Sequence, residues 1–233
     1  MILREPWIII KKEKEVLEKD LIKMFKREIT GLILASLATI LIFFSNLEIF
    51  YLMLLLVCFL LTFELVKVTN EMNIFFWIQI FFIILIILFL PTFEKFRQLF
   101  FIGIMISVLT DAGAYYVGKT IGKIKIFPTT SPNKTLEGII GGSLFCVVFL
   151  SMLFWYFPSF FTLNTNLTVF VFLIIISSLA SIFGDYLQSR FKRTQGVKDS
   201  GNILPGHGGL SDRLDSHLVT LPVFFGLINF FGL

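Results

Sequence analysis

Residues 189–215 read SRFKRTQGVKDSGNILPGHGGLSDRLD, a polar, glycine-rich run with five cations, three aspartates and one histidine. An apolar stretch stands on either side of it, residues 167–186 before and 217–231 after. Charge this dense beside lipid is costly unless it binds something. The run therefore reads as a loop at a membrane surface between two spanning helices. The rest of the chain agrees. It has 233 residues, 56% of them hydrophobic and thirty of them phenylalanine, with a mean hydropathy of +0.88. A water-soluble domain does not need so much apolar surface.

Seven apolar stretches approach the roughly 20 residues of a spanning helix: 28–44, 49–66, 74–90, 96–117, 138–157, 167–186 and 217–231. The expected fold is an all-α polytopic integral membrane protein with about seven transmembrane helices. The breaks near Asn46 and Pro91 are also compatible with tight hairpins inside the bilayer. Three regions follow: an interfacial segment over 1–28, N-terminal transmembrane helices over 29–98, and a transmembrane domain over 99–233 with cytosolic loops at 118–137 and 187–216. The N-terminus does not read as a cleavable signal peptide, because a long charged stretch precedes its first apolar run. Cys58 and Cys146 sit in apolar stretches without metal-ligand spacing and receive no role.

Lysine and arginine set the orientation. Eight precede the first span, Lys67 follows the second, four lie between Lys119 and Lys134, and five between Arg190 and Arg213. Only Lys95 and Arg97 fall in loops of the other parity. The positive-inside rule then places the N-terminus and the 189–215 loop in the cytosol. Residues 11–27 alternate Lys and Glu with Val16, Leu17, Leu21, Met24 and Phe25 at helical spacing. They fit an amphipathic helix on anionic headgroups, or equally a solvated helix leading into the first span.

Four polar constellations map to the cytosolic side. Asp111 lies in an apolar run and shares a helix face with Ser107, Tyr115 and Gly118. Ser131-Pro-Asn-Lys134-Thr135-Leu-Glu137-Gly138 reads as a helix opening, with Lys134 and free backbone N–H groups forming a phosphate corner. Ser177, Ser181 and Asp185 form a polar stripe on an apolar helix, continued by Gln188 and Ser189. In the 189–215 run, Gly208 and Gly209 let backbone approach a ligand beside His207. Asp212 and Asp215 stand three apart at the start of a helix, with Arg213 between them. Bland readings exist for each: a carboxylate bonded to a neighbouring helix, a capping motif, helix–helix glue, a structural histidine. Together, hard carboxylates with almost no His and no paired Cys suit Mg²⁺ rather than zinc. Magnesium with a cationic cradle is equipment for a nucleotide polyphosphate, and a site at the membrane surface points to a lipid as the other substrate.

These residues resemble the phosphatidate cytidylyltransferases (CDP-diacylglycerol synthases). The signature is carried by Ser189, Lys192-Arg193, Lys198-Asp199, Pro205, His207-Gly208-Gly209 and Asp212-Arg213-Leu214-Asp215. Asp111-Ala-Gly-Ala-Tyr115, Ser131 to Gly138 and Gly184-Asp185 are similar to further family motifs. The likeness runs from about Asp111 to the C-terminus, and upstream only hydropathy agrees. Gln188 stands where the family often has Glu, which removes one carboxylate.

The resemblance implies transfer of CMP from CTP to phosphatidate, giving CDP-diacylglycerol and pyrophosphate in phospholipid biosynthesis. It implies a multi-pass protein of the cell's inner (plasma) membrane, with the site facing the cytosol and 99–233 as the catalytic domain. It implies Asp185 and Asp212 as first-choice Mg²⁺ ligands, supported by Asp111 and Asp215. Asp185, Asp212, Lys198 and Arg213 are the expected catalytic residues. Ser131, Lys134, Thr135, Ser189, Lys192, Arg193, His207, Gly208 and Gly209 are expected to bind substrate. The expected partners are CTP, phosphatidate and membrane lipids, with no nucleic acid; a second, monovalent cation and a homodimer are left open. Rival classes are a CTP-dependent polyprenol or lipid kinase and an ion-coupled transporter. A CDP-alcohol phosphotransferase is disfavoured because its spaced Asp motif is absent.

Overall fold

The structure, a computed structural model, describes residues 33, 36–70, 72, 74–89, 96–161, 163, 165–201 and 208–233. The expected interfacial segment at 1–28, the opening part of the first span, Pro91, Lys95 and His207 lie outside the described residues. Residues 36–44 are helical. Then follow α1 (Leu47–Val68), α2 (Ile74–Phe89), α3 (Phe96–Ile121), β1 (Lys125–Phe127), β2 (Ser131–Thr135), α4 (Leu136–Tyr156), the short α5 (Pro158–Phe161), α6 (Leu167–Thr194) and α7 (Ser211–Phe231). The protein is a helical membrane protein. Among the described residues five helices, α1, α3, α4, α6 and α7, are long and apolar enough to cross a bilayer. Helix α2 has 16 residues, about 24 Å at the α-helical rise, short of a bilayer core of about 30 Å.

These helices are apolar on both their inward and their outward faces. Leu52, Phe59, Phe81, Leu144 and Trp155 are all more than half exposed, which is tolerable only where the surroundings are lipid. Inward, Phe50, Leu65, Ile106, Leu173, Ile174 and Phe224 are sealed completely. Lipid tails are as apolar as leucine, so close packing rather than hydrophobicity must hold such helices together. Small residues supply it. A Cβ on Gly142 of α4 would stand 2.5 Å from the Thr110 carbonyl and 2.7 Å from the Ala114 nitrogen of α3. One on Gly184 of α6 would stand 2.6 Å from the Asp215 carbonyl of α7. Backbones therefore touch at both crossings, and both crossings lie beside an aspartate, Asp111 in one case and Asp185 with Asp215 in the other.

The polar and aromatic ends of the bundle are separate. Phe154 stacks on Phe170 at 4.3 Å between centroids, and Phe161 meets Phe170 edge-on at 5.1 Å. Phe154 lies nineteen residues into α4, so this cluster is roughly 27 Å from that helix's start. The start carries the polar motif. There the structure departs from the sequence-based expectation of a helix opening over 131–138. Ser131–Thr135 is a strand, paired antiparallel with β1 in the register Lys125↔Thr135 and Phe127↔Ser131. Pro132 lacks an N–H and disfavours helix at the residue before it. The helix begins only at Leu136, capped by Thr135 Oγ1, which accepts the Gly138 N–H at 3.2 Å. Glu137 fixes the hairpin by accepting the N–H groups of Lys123 and Ile124 at 3.0 and 3.2 Å.

Gly142→Val should lower the thermal midpoint in detergent by the equivalent of about 1–3 kcal/mol, whereas Leu144→Val, on the lipid-facing side, should change it little. Equal midpoints for the two variants would contradict backbone contact at the α3–α4 crossing.

Candidate functional site

Four elements converge on one lysine. The β1–β2 hairpin carries Lys134 over α6, where its ammonium forms an ion pair with Asp185 Oδ2. Burial by itself lowers the pKa of this lysine. Asp185, then Asp111 of α3 and Asp215 of α7, overcome that, and its pKa stands above the ordinary 10.5. Three carboxylates from three different helices thus act on a single cation. The Ser189 hydroxyl donates to Asp185 Oδ1 at 3.2 Å, and the Ser216 hydroxyl donates to Asp111 Oδ2 at 3.0 Å. The other Asp111 oxygen is buried with no hydrogen-bond partner among the described residues. A buried carboxylate oxygen is rarely left so unless something else completes it. Beside the cluster is a cavity of about 310 Å³ whose wall includes Asp111, Tyr115, Ser131, Lys134, Thr135 and Asp185.

Next to this cluster the 189–215 loop is tied by a separate carboxylate. Asp212 Oδ1 receives the Lys192 ammonium at 2.6 Å. Its Oδ2 accepts the N–H groups of Ser200 at 2.8 Å and Gly209 at 3.0 Å. Both oxygens are occupied, so the structure places Asp212 as the anchor of the loop. Asp215, expected only as support, is the α7 carboxylate that acts on Lys134. Gln188 lies outside the carboxylate cluster; its Nε2 donates to Ser211 Oγ at 2.5 Å, joining α6 to the start of α7.

The expected site residues therefore divide. Asp111, Ser131, Lys134, Thr135 and Asp185 share one cavity, with Ser189 and Asp215 beside them. Lys192, Asp212, Gly208 and Gly209 form the loop anchor, Gly208 at a left-handed φ of 87°. Arg193, Lys198 and Arg213 are exposed. One contributor was not anticipated: Glu64 of α1, 2% exposed, whose oxygens accept the Leu210 and Ser211 N–H groups at 3.2 and 2.6 Å. The signal was available as a carboxylate inside the apolar stretch 49–66, a placement that is expensive by default.

A model of the cytidylyltransferase family matches residues 8–231. The chain belongs to this family. Among curated proteins, phosphatidate cytidylyltransferase of Staphylococcus aureus (strain COL) is 50% identical over 119 residues, 51% of this chain and 44% of that protein. Its namesake in Bacillus subtilis (strain 168) is 43% identical over 127 residues, 53% of this chain and 44% of that protein. That of Staphylococcus haemolyticus is 48% identical over 115 residues, 49% of this chain and 43% of that protein. The matched stretch thus spans less than half the length of these relatives. The family membership bears out the resemblance read from the 189–215 signature.

The donor chemistry fits a hard divalent cation. Carboxylate oxygens come from three helices, and among the described residues one buried Asp111 oxygen has no hydrogen-bond partner. Among the described residues no three His, Cys, Asp or Glu side chains already converge at metal-binding distance. One of these carboxylates, Asp185, is paired with the Lys134 ammonium.

Because the pKa of Lys134 is raised, the stability it contributes is complete below the ordinary lysine value and is lost only as pH rises past it. Lys134→Met should therefore lower the thermal midpoint at about pH 8, where Lys134 is fully charged. Equal midpoints for variant and parent at that pH would contradict the arrangement around Lys134.

Proposed function

We propose that the protein transfers CMP from CTP to phosphatidate, yielding CDP-diacylglycerol and pyrophosphate. One observation carries this: a single lysine held among three carboxylates from three helices, at the polar end of a membrane bundle and beside a cavity of about 310 Å³. The family match and the names of the curated relatives support the same chemistry. The distribution of lysine and arginine supports a cytosolic site and a cytosolic N-terminus, and the apolar stretches support about seven spans.

The phosphate oxygen of phosphatidate is already anionic at neutral pH, so attack on the α-phosphorus of CTP needs no strong base. The work left to the protein is alignment and neutralisation of charge. Lys134 exchanges Asp185 for phosphate oxygens as substrate arrives. Asp111, Asp185 and Asp215 would hold Mg²⁺, which when bound supplies Lewis-acid neutralisation of the polyphosphate. Ser131 and Thr135 line the cavity wall beside the lysine. Exposed Arg193, Lys198 and Arg213 would draw anionic substrate toward the loop. Asp212 and Lys192 hold the loop in shape.

Detergent-purified protein given radiolabelled CTP, phosphatidate and Mg²⁺ should yield a lipid carrying the CMP moiety, with pyrophosphate released. A phosphorylated lipid with free CDP would indicate the kinase class instead, and counterflow in sealed vesicles would indicate a transporter. Asp185→Asn should lower turnover by at least about 100-fold, the scale for losing one preorganised charge at a reacting phosphate, in protein that remains monodisperse. Near-normal turnover in Asp185→Asn would remove Asp185 from the site.

A further inference from the structure

Glu64 is a buried carboxylate near the end of α1, and among the described residues it forms no ion pair with a lysine or arginine. A charge so placed is costly unless other groups offset it. Here the offsetting groups are the free N–H groups and positive dipole end of α7. Leu210 and Ser211 donate to its two oxygens at 3.2 and 2.6 Å. The residue at the N-cap of α7 is Leu210, which offers no side-chain cap. Glu64 supplies that cap from 147 residues upstream in the case of Ser211.

The fit extends to the loop. A Cβ on Gly209 would stand 2.4 Å from Glu64 Oε1 and 2.4 Å from Ser200 Oγ, and one on Gly201 would stand 2.4 Å from the same Glu64 oxygen. Both glycines leave the space that the carboxylate fills. A second tie lies just beyond: the Asn70 N–H donates to Gln195 Oε1 at 2.8 Å, joining the segment after α1 to the end of α6. The loop between α6 and α7 is thus gripped at both ends from the N-terminal side of the chain. Asp212 sits one residue after Ser211, and Asp215 one turn further along the same helix. A displacement of the α7 start carries both with it.

We propose that Glu64 is a positioning residue, which fixes the start of α7 and so sets Asp215 against Asp185 and Lys134, and Asp212 against the loop. This rests on the proposed role of those carboxylates in CMP transfer. It also makes α1 part of the working unit, although the signature residues all lie beyond residue 110.

The test compares the full-length parent with Glu64→Gln, which keeps the shape but replaces one accepting oxygen with an NH₂ group. The variant should stay monodisperse. Its Leu210 and Ser211 amides should exchange with solvent at least about tenfold faster, with exchange in α4 unchanged. Its kcat should fall about tenfold or more while KM for CTP moves less than about threefold, as expected when reacting groups are misaligned rather than lost. A cap that only stabilises the fold would lower the thermal midpoint and leave kcat per folded molecule intact. Amides deprotected with kcat within about twofold of the parent would therefore overturn the proposal. If Glu64→Gln does not fold, exchange in the parent decides: Leu210 and Ser211 amides as fast as those of exposed Lys198 and Asp199 would refute the tether. A parent that is inactive with CTP and phosphatidate, yet protects these amides, would fail the proposed reaction and leave the tether standing.

Discussion

Opposite charge brought together at the edge of a low-dielectric medium is the constraint on which the rest of the structure depends. Asp111, Asp185 and Asp215 come from three helices, and Lys134 comes from the hairpin that joins α3 to α4. Carboxylates alone at such a place would repel one another and lose water. A central ammonium resolves that, and the cavity beside it leaves room for a phosphate to take over the same ammonium. The glycines at the α3–α4 and α6–α7 crossings let these helices pack backbone to backbone beside Asp111 and beside Asp185 and Asp215.

A second pair of carboxylates does different work. Asp212 and Glu64 accept backbone N–H groups of the loop and of the α7 start, at Ser200, Gly209, Leu210 and Ser211. Bare N–H groups at a helix start attract anions. With Glu64 seated there, that position is closed to another anion. One carboxylate set is thus arranged around Lys134 and the other around the backbone of the loop and the α7 start.

Much of this was legible before any fold was known. The apolar stretches gave the helices α1 to α4, α6 and α7 within a few residues, although α3, α6 and α7 extend past the apolar part into polar sequence. Hydropathy reports the lipid-facing length of a helix, whereas hydrogen bonding continues as far as the ends are satisfied. Asp111, Lys134 and Asp185 were identified as candidates because a charge in or beside a span needs a reason. The strand at Ser131–Thr135 was not, since five residues with a proline give no periodic signal and their pairing depends on Lys125–Phe127. Asp212 and Asp215 differ in their partners: Asp212 accepts loop N–H groups, and Asp215 acts on Lys134. Spacing of three shows that both share a helix face, but it cannot say which one the loop's N–H groups will occupy. Glu64 was passed over because its partners lie about 150 residues away.

Residue chemistry and its order along the chain determined by themselves that this is a helical membrane protein with acidic and basic groups gathered at one end of its spans. They also determined its family, because a long spaced signature survives without knowledge of shape. Only the tertiary structure decided which carboxylate meets which partner, since that depends on helix crossings set by glycine contacts and on backbone donors exposed by the loop. Charge type is a property of a residue, but the partner that makes a buried charge affordable is a property of the fold.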